Sequence, residues 1–408
     1  MLTRRDFLAS GLLAASAGLA VPPVLAKGVL AAGNDGVHND RVLVILQLGG
    51  GNDGLNTLVP YTDPVYHDAR PGIGISPDKV LRIDDQVGLN PMLPGIKALY
   101  DAGRVAVVQG VGYDHPTYSH FEALRVWEYA DPQQRATDGW LGKLLAGQLD
   151  SAGHPLAGCA LGQASTPAEL RAQGATVSVI ESAQSYAVQG GAGHRAAAPA
   201  LYRHTPGVYG ALFDQALATA ESGIAALRDA GRYTPRVQYS DSATVYGSKD
   251  SLAGSLLLTA QLIVTQPQVK LCHVVLGGFD THQDEDQRQN ALLADVDGAV
   301  SAFVKDLDAH GVADRVVLMT WSEFGRRVAE NGSRGTDHGS AAPMFVVGAP
   351  VKGGLYGAPP SLTDLDDGNL KHTVDFRSVY QTLIRDWLGG DAESVLGQSF
   401  PELPLMRA

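Results

Sequence analysis

Cysteine is nearly absent. Two residues in 408, Cys159 and Cys272, are too few for an iron–sulfur cluster or a cysteine-rich zinc site. Basic residues are outnumbered, 31 Lys and Arg against 43 Asp and Glu, for a formal net charge of −12. Nucleic acids and anionic membranes are bound by neutralising phosphates with Lys and Arg, so this balance argues against both as partners. No long hydrophobic run follows the first 26 residues, and spanning a bilayer takes about 20 consecutive apolar residues. Repeats are missing too: 48 Gly and 22 Pro are unperiodic, which excludes a collagen-like chain and foretells many turns and long loops. What remains, 45% hydrophobic and 18% charged, is the make-up of a core-forming globular protein.

The first 26 residues read as an address. Arg4 and Arg5 precede a short apolar stretch over residues 11–21, and Val24-Leu25-Ala26 offers a small-residue cleavage point. A basic start, an apolar core and such a stop describe a signal peptide, and the paired arginines point to the twin-arginine export machinery. The apolar core is short and ends at Pro22-Pro23, which argues against a membrane anchor. The expectation is a periplasmic or secreted protein, not embedded in a membrane, whose residues 27–408 form a single domain. Export permits a Cys159–Cys272 disulfide; two separately buried thiols fit the apolar runs around them equally well.

The body alternates between strand and helix. Residues 41–48 are a continuous apolar run bounded by glycines, as in a strand buried on both faces. Further strands are expected at 105–108, 270–276, 315–320 and 344–347, with helices at 93–101, 119–129, 251–264 and 376–388. Leu292, Leu293, Val296, Val300, Phe303, Val304 and Leu307 recur at helical spacing. The fold class is therefore α/β, with a mainly parallel central sheet and helices on both faces. Residues 166–248, with a Gly/Ala-rich patch at 190–200 and a helical pattern near 210–230, read as an insertion or cap.

In an open parallel sheet, ligands bind beyond the carboxyl ends of the strands. Four such ends are polar here: Gly49-Gly-Gly-Asn-Asp-Gly54; the stretch from Gly110 through His115 to Ser119 and His120; Gly277-Gly-Phe-Asp-Thr-His282; and Thr320-Trp-Ser-Glu-Phe-Gly325 with Gly335-Thr-Asp-His-Gly339. Topology predicts that they meet. A cluster of carboxylates without a cation would repel itself, and oxygen with imidazole donors suits Zn²⁺, Mn²⁺, Mg²⁺ or Ca²⁺. Ser119 reads either as a helix N-cap or as a nucleophile at the positive end of a helix. Gly49-x-Gly51-x-x-Gly54 matches a dinucleotide fingerprint, but Leu-Asn-Thr-Leu-Val-Pro60 follows and no helix is expected there. This argues against a nicotinamide or flavin site.

Taken together, the paired arginines, Leu48-Gly-Gly-Gly-Asn-Asp-Gly-Leu-Asn-Thr57, Ser119-His120-Phe121, Gly278-Phe-Asp-Thr-His282, Ser322-Glu-Phe-Gly-Arg326 and Gly335-Thr-Asp-His-Gly339 resemble the exported bacterial family domain of unknown function 1501. That family in turn looks like a remote branch of the alkaline phosphatase and sulfatase superfamily. The resemblance implies an alkaline-phosphatase-like fold and one or two divalent metal ions beside a nucleophile. Asp280, His282 and His338 would bind one ion, with Asp284 an alternative to His282. Asn52, Asp53 and Glu323 would form a weaker, oxygen-rich set, while Phe324 stands where the superfamily carries a histidine ligand. Ser119 would be the nucleophile, and His115 or His120 would contact the leaving group. The implied activity is hydrolysis of a small anionic ester, a phosphate or sulfate. The missing imidazole at Phe324 motivates the alternative, a non-catalytic binding or assembly protein with a periplasmic partner.

Overall fold

A computed structural model of the chain describes residues 39–149, 154, 156–181, 232–240 and 251–407, with several single residues between 221 and 229. The signal-like segment, the Gly/Ala-rich patch and most of the 210–230 helical pattern lie outside the described residues.

Nine strands form the central sheet. In chain order they are β1 (Val42–Gly49), β2 (Val105–Gly112), β3 (Gly158–Leu161), β4 (Val177–Ile180), β5 (Leu271–Gly277), β6 (Val316–Trp321), β7 (Ala342–Val347), β8 (Gly354–Tyr356) and β9 (Val374–Asp375). Their spatial order is β8-β2-β7-β6-β1-β5-β3-β4, with β9 also pairing with β2. All pairs are parallel except those of β7, which runs antiparallel to both β2 and β6. β1 sits at the centre, where Val42 through Leu46 are wholly buried, as its unbroken apolar run requires.

Helices cover both faces, so the architecture is α/β with a large, mostly parallel sheet. The principal ones are α1 (Gly54–Thr57), α2 (Pro94–Asp101), α3 (His120–Tyr129), α4 (Trp140–Gly147), α5 (Leu252–Thr265), α6 (Glu285–Ala309) and α7 (Phe376–Thr382). One face packs α2, α5 and α6 against the outward residues of β1 and β5. The opposite face packs α3, α4 and α7, where Trp127 stacks on Trp321 with ring centroids 5.6 Å apart and Trp140 on Tyr380 at 4.2 Å. The apolar spacing over 292–307 falls inside α6, a helix of 25 residues. Ser251 and Asp375 cap α5 and α7 through their side chains.

One local expectation needs correction. A helical turn does begin at Gly54, capped by Asp53, but it lasts four residues before the chain turns extended at Leu58. That is too short to present a dinucleotide with a helix end. Within the Lys352-Gly-Gly-Leu-Tyr-Gly357 run, residues 354–356 form β8 at the sheet edge. The described start of the 166–248 segment adds β4 to the main sheet. Cys159 and Cys272 face each other in register on β3 and β5, as free, buried thiols.

Candidate metal centre

Because β1, β5 and β6 run side by side in parallel, their carboxyl ends open on one edge: Gly49 stands beside Gly277, and Gln47 beside Trp321. The loops leaving them are tied together. The Gly50 amide donates to Glu323 Oε1 at 2.9 Å, and the Asn52 amide to Ser322 Oγ at 2.9 Å. Two glycines make this packing possible. Gly50 has φ 118°, and a Cβ there would come 2.5 Å from the Asp280 amide nitrogen; a Cβ on Gly335 would strike the His282 backbone at 2.2 Å.

On this edge Asp280, His282 and His338 converge. Asp280 Oδ1 lies 3.1 Å from His282 Nε2 and 3.1 Å from His338 Nε2, and the two nitrogens are 3.0 Å apart. Donors placed 2.0–2.1 Å from a tetrahedral zinc would stand roughly 3.3 Å from one another, so the triangle is close to one face of such a polyhedron. His120 joins from α3, its Nε2 3.7 Å from Asp280 Oδ2. Donor atoms of His120, Asp280 and His338 all lie within 4.8 Å of one another, a spacing that could hold a metal ion.

Each imidazole is oriented from behind. His338 Nδ1 lies 2.8 Å from the Tyr118 carbonyl, His282 Nδ1 3.2 Å from Asp337 Oδ1, and His120 Nδ1 2.8 Å from Glu323 Oε1. A carbonyl or carboxylate only accepts, so each Nδ1 carries a hydrogen and each Nε2 is turned toward the others. Histidines that ligate metals are held in this way. At 3.0 Å the Nε2 atoms of His282 and His338 require a proton or a cation between them. The donor set therefore fits a divalent cation.

Partial burial acts to raise the Asp280 carboxyl, but hydrogen bonds from Arg326 and His338 and the guanidinium charge outweigh it, bringing Asp280 to about 2. Asp337 is lowered chiefly by the hydrogen bond from Asn331. The hydrogen bond to Glu323 is the main reason that His120 is raised above the usual imidazole value.

Not every expected ligand arrives. Asp53 is completely buried, and Arg70 grips its two oxygens at 2.5 and 3.0 Å while Asp53 Oδ1 also caps Leu55. Asn52 Oδ1 accepts from Thr57 Oγ1 at 3.0 Å and Gln289 Nε2 at 2.8 Å, inside the core. Glu323 serves His120 and the Gly50 amide. The weaker oxygen-rich set is thus not assembled, because protein donors have taken its acceptors. Phe324 is buried and packs its ring against His120 and His338, with centroids 4.8 and 4.5 Å away. Asp284 begins α6 in a left-handed conformation and makes no contact with the triangle.

Ser119 occupies the N-cap position of α3, yet its side chain makes no capping hydrogen bond and is exposed. The residues on either side of it, Tyr118 and His120, both touch the cluster. His115 is exposed in a left-handed conformation, φ 54°, and joins none of these contacts. Sequence reasoning missed Asp337, which anchors His282, and Arg326, whose guanidinium lies 2.8 Å from Asp280 Oδ1. Both stand inside the quoted motifs, within reach of a role but without any spacing signal to assign one.

The family described as Protein of unknown function (DUF1501) matches residues 106–395, well over half the chain, and the chain belongs to that family. Among solved structures it is similar to a protein in the alkaline phosphatase superfamily from Vibrio parahaemolyticus, at 10% identity, covering 97% of this chain and 78% of that one, with a TM-score of 0.41. It is similar also to the C-terminal periplasmic domain of EcEptC from Escherichia coli, in complex with Zn, at 12% identity, 76% and 73% coverage and a TM-score of 0.36. A third is the phosphonate monoester hydrolase SpPMH from Silicibacter pomeroyi, at 12% identity, 89% and 78% coverage and a TM-score of 0.34. No curated protein matches in sequence. No helix among the described residues is long and apolar enough to cross a membrane.

Proposed function

We propose that the chain is an exported, metal-dependent hydrolase of phosphate or sulfate esters. The observation that carries this reading is the triangle of Asp280 Oδ1, His282 Nε2 and His338 Nε2, each atom 3.0–3.1 Å from the other two. These three residues would hold the cation. When bound, a divalent cation there would polarise the ester and acidify a nearby hydroxyl.

The chain's own residues supply the rest. Ser119, uncapped and exposed at the start of α3, has its hydroxyl free to attack phosphorus or sulfur, releasing its proton to solvent. The positive end of α3 favours the incoming anion. As the new Ser119 ester bond forms, the old ester oxygen leaves and takes the Nε2 proton of His120 in its imidazolium form, whose Nδ1 hydrogen Glu323 holds at 2.8 Å. Water then cleaves the seryl ester. Arg4 and Arg5 support twin-arginine export to the periplasm or outside the cell.

The test is elemental analysis of the purified protein with a panel of aryl phosphates and sulfates. Metal above trace and turnover abolished in Ser119→Ala are expected. A metal-free protein, or turnover unchanged in that variant, would sink the proposal.

A second reading has its own support. His120 as a fourth donor would close the shell around an ion, as in structural zinc sites, and Phe324 walls one side of it. The chain would then be a binding or assembly protein with a structural ion. Tightly held metal with no turnover on any ester of the panel favours this alternative.

A further inference from the structure

Asp53 and Glu323 raise a question of charge: if no second cation balances these carboxylates, something else must. Two buried arginines supply fixed positive charge, Arg70 at Asp53 and Arg326 at Asp280. Arg70 neutralises Asp53 directly, as described above. Arg326, 1% exposed, lies between the site loops and uses every nitrogen: Nε to the Gly51 carbonyl at 2.6 Å, Nη1 to the Thr336 carbonyl at 2.9 Å, and Nη2 to the carbonyls of Gly50 at 2.5 Å and Phe279 at 2.9 Å and to Asp280 Oδ1 at 2.8 Å.

From this we infer that the centre takes a single divalent cation, and that Arg326 is a covalently fixed positive charge standing where a second ion would otherwise sit. The inference rests on the metal-centre reading above and adds its stoichiometry. Around the triangle the fixed charges are three carboxylates, Asp280, Glu323 and Asp337, against one guanidinium. One dication neutralises this set. A second dication would meet the guanidinium at close range, and each of these carboxylates already has hydrogen-bond partners in the protein. The oxygens that Arg326 occupies, four loop carbonyls and one carboxylate, are themselves a set suited to a hard cation such as calcium. Arg326 is thus a positioning residue: it fixes Asp280 and the loops at Gly50, Phe279 and Thr336 in place before any metal arrives.

The experiment measures ion stoichiometry on the purified full chain, stripped with chelator and titrated with zinc by calorimetry, with elemental analysis after gel filtration. One zinc per chain is expected in wild type, still one in Glu323→Gln, and none in His338→Ala. Two ions in wild type, or loss of the single ion in Glu323→Gln but not in His338→Ala, overturns the inference and leaves a metal centre standing. No ion at all overturns the metal-centre reading itself, so the two failures are told apart. Arg326→Gln tests the arginine: a folded variant, checked by circular dichroism, should take up one calcium that wild type does not. A folded variant that takes up none removes the role from Arg326. If the variant does not fold, the wild-type zinc stoichiometry decides.

Discussion

His282 Nε2 and His338 Nε2 stand 3.0 Å apart, each ring pinned from behind through Nδ1, the first by Asp337 and the second by the Tyr118 carbonyl. Fifty-six positions separate them in sequence, and neither would hold this orientation alone.

From that pair follows a prediction about Asp337, which touches no ion but sets the His282 ring. Substituting partners of this kind typically costs about 10–100-fold in metal affinity. Asp337→Asn is expected to weaken zinc binding by that factor in competition with a chromophoric chelator, and Asp337→Glu to restore part of it. An unchanged dissociation constant for Asp337→Asn would show that His282 is not held in this way, or is not a ligand.

Ser119 separates structure from chemistry. Truncating an N-cap side chain usually costs about 1 kcal/mol. Here the side chain caps nothing, so Ser119→Ala is expected to cost less than about 0.5 kcal/mol in urea unfolding while turnover of an aryl ester falls by at least about a thousandfold. A large loss of stability would return Ser119 to a purely structural role.

The buried pair Arg70–Asp53 predicts the reverse. Removing one partner of a buried ion pair leaves an uncompensated charge and costs about 3–5 kcal/mol. Asp53→Ala should lower the denaturation midpoint accordingly. If it folds, it should bind zinc as wild type does. Weakened zinc binding with intact stability would place Asp53 back among the ligands.

Glu285 makes stability depend on pH. Burial, and next the charge of Asp53, push its carboxyl from 4.5 up to about 9. Between those values the folded chain keeps a proton that the unfolded chain has lost. This contribution is therefore fully present below pH 4.5 and lost as pH rises through 9. Glu285→Gln, which keeps the size and stays neutral, should flatten that slope in unfolding experiments from pH 6 to 9.5. An identical slope in variant and wild type would mean that Glu285 is ionised in the folded protein.

Much of the fold is legible along the chain. The run over 41–48 reads as a doubly buried strand and becomes the centre of the sheet. The apolar spacing from Leu292 to Leu307 reads as a helix and lies within α6. Asp280 and His282 follow the parallel strand β5, and His338 precedes β7, whose antiparallel course brings its amino end to the same edge. The fates of Asp53 and Asn52 were not readable. Both stand in the right loop, but their partners, Arg70 in one loop and Gln289 on α6, reach them only after the chain has folded.

By itself, then, the sequence determined the elements, the sheet edge where polar loops gather, and the residue types offered there, because those follow from periodicity and strand direction, which are local. Only the tertiary structure decided who bonds whom: Arg70 to Asp53, Arg326 to Asp280, Glu323 to His120 rather than to a cation. Hydrogen-bond partners are set by the paths of long loops to within an ångström, and no pattern of neighbouring residues encodes such a path.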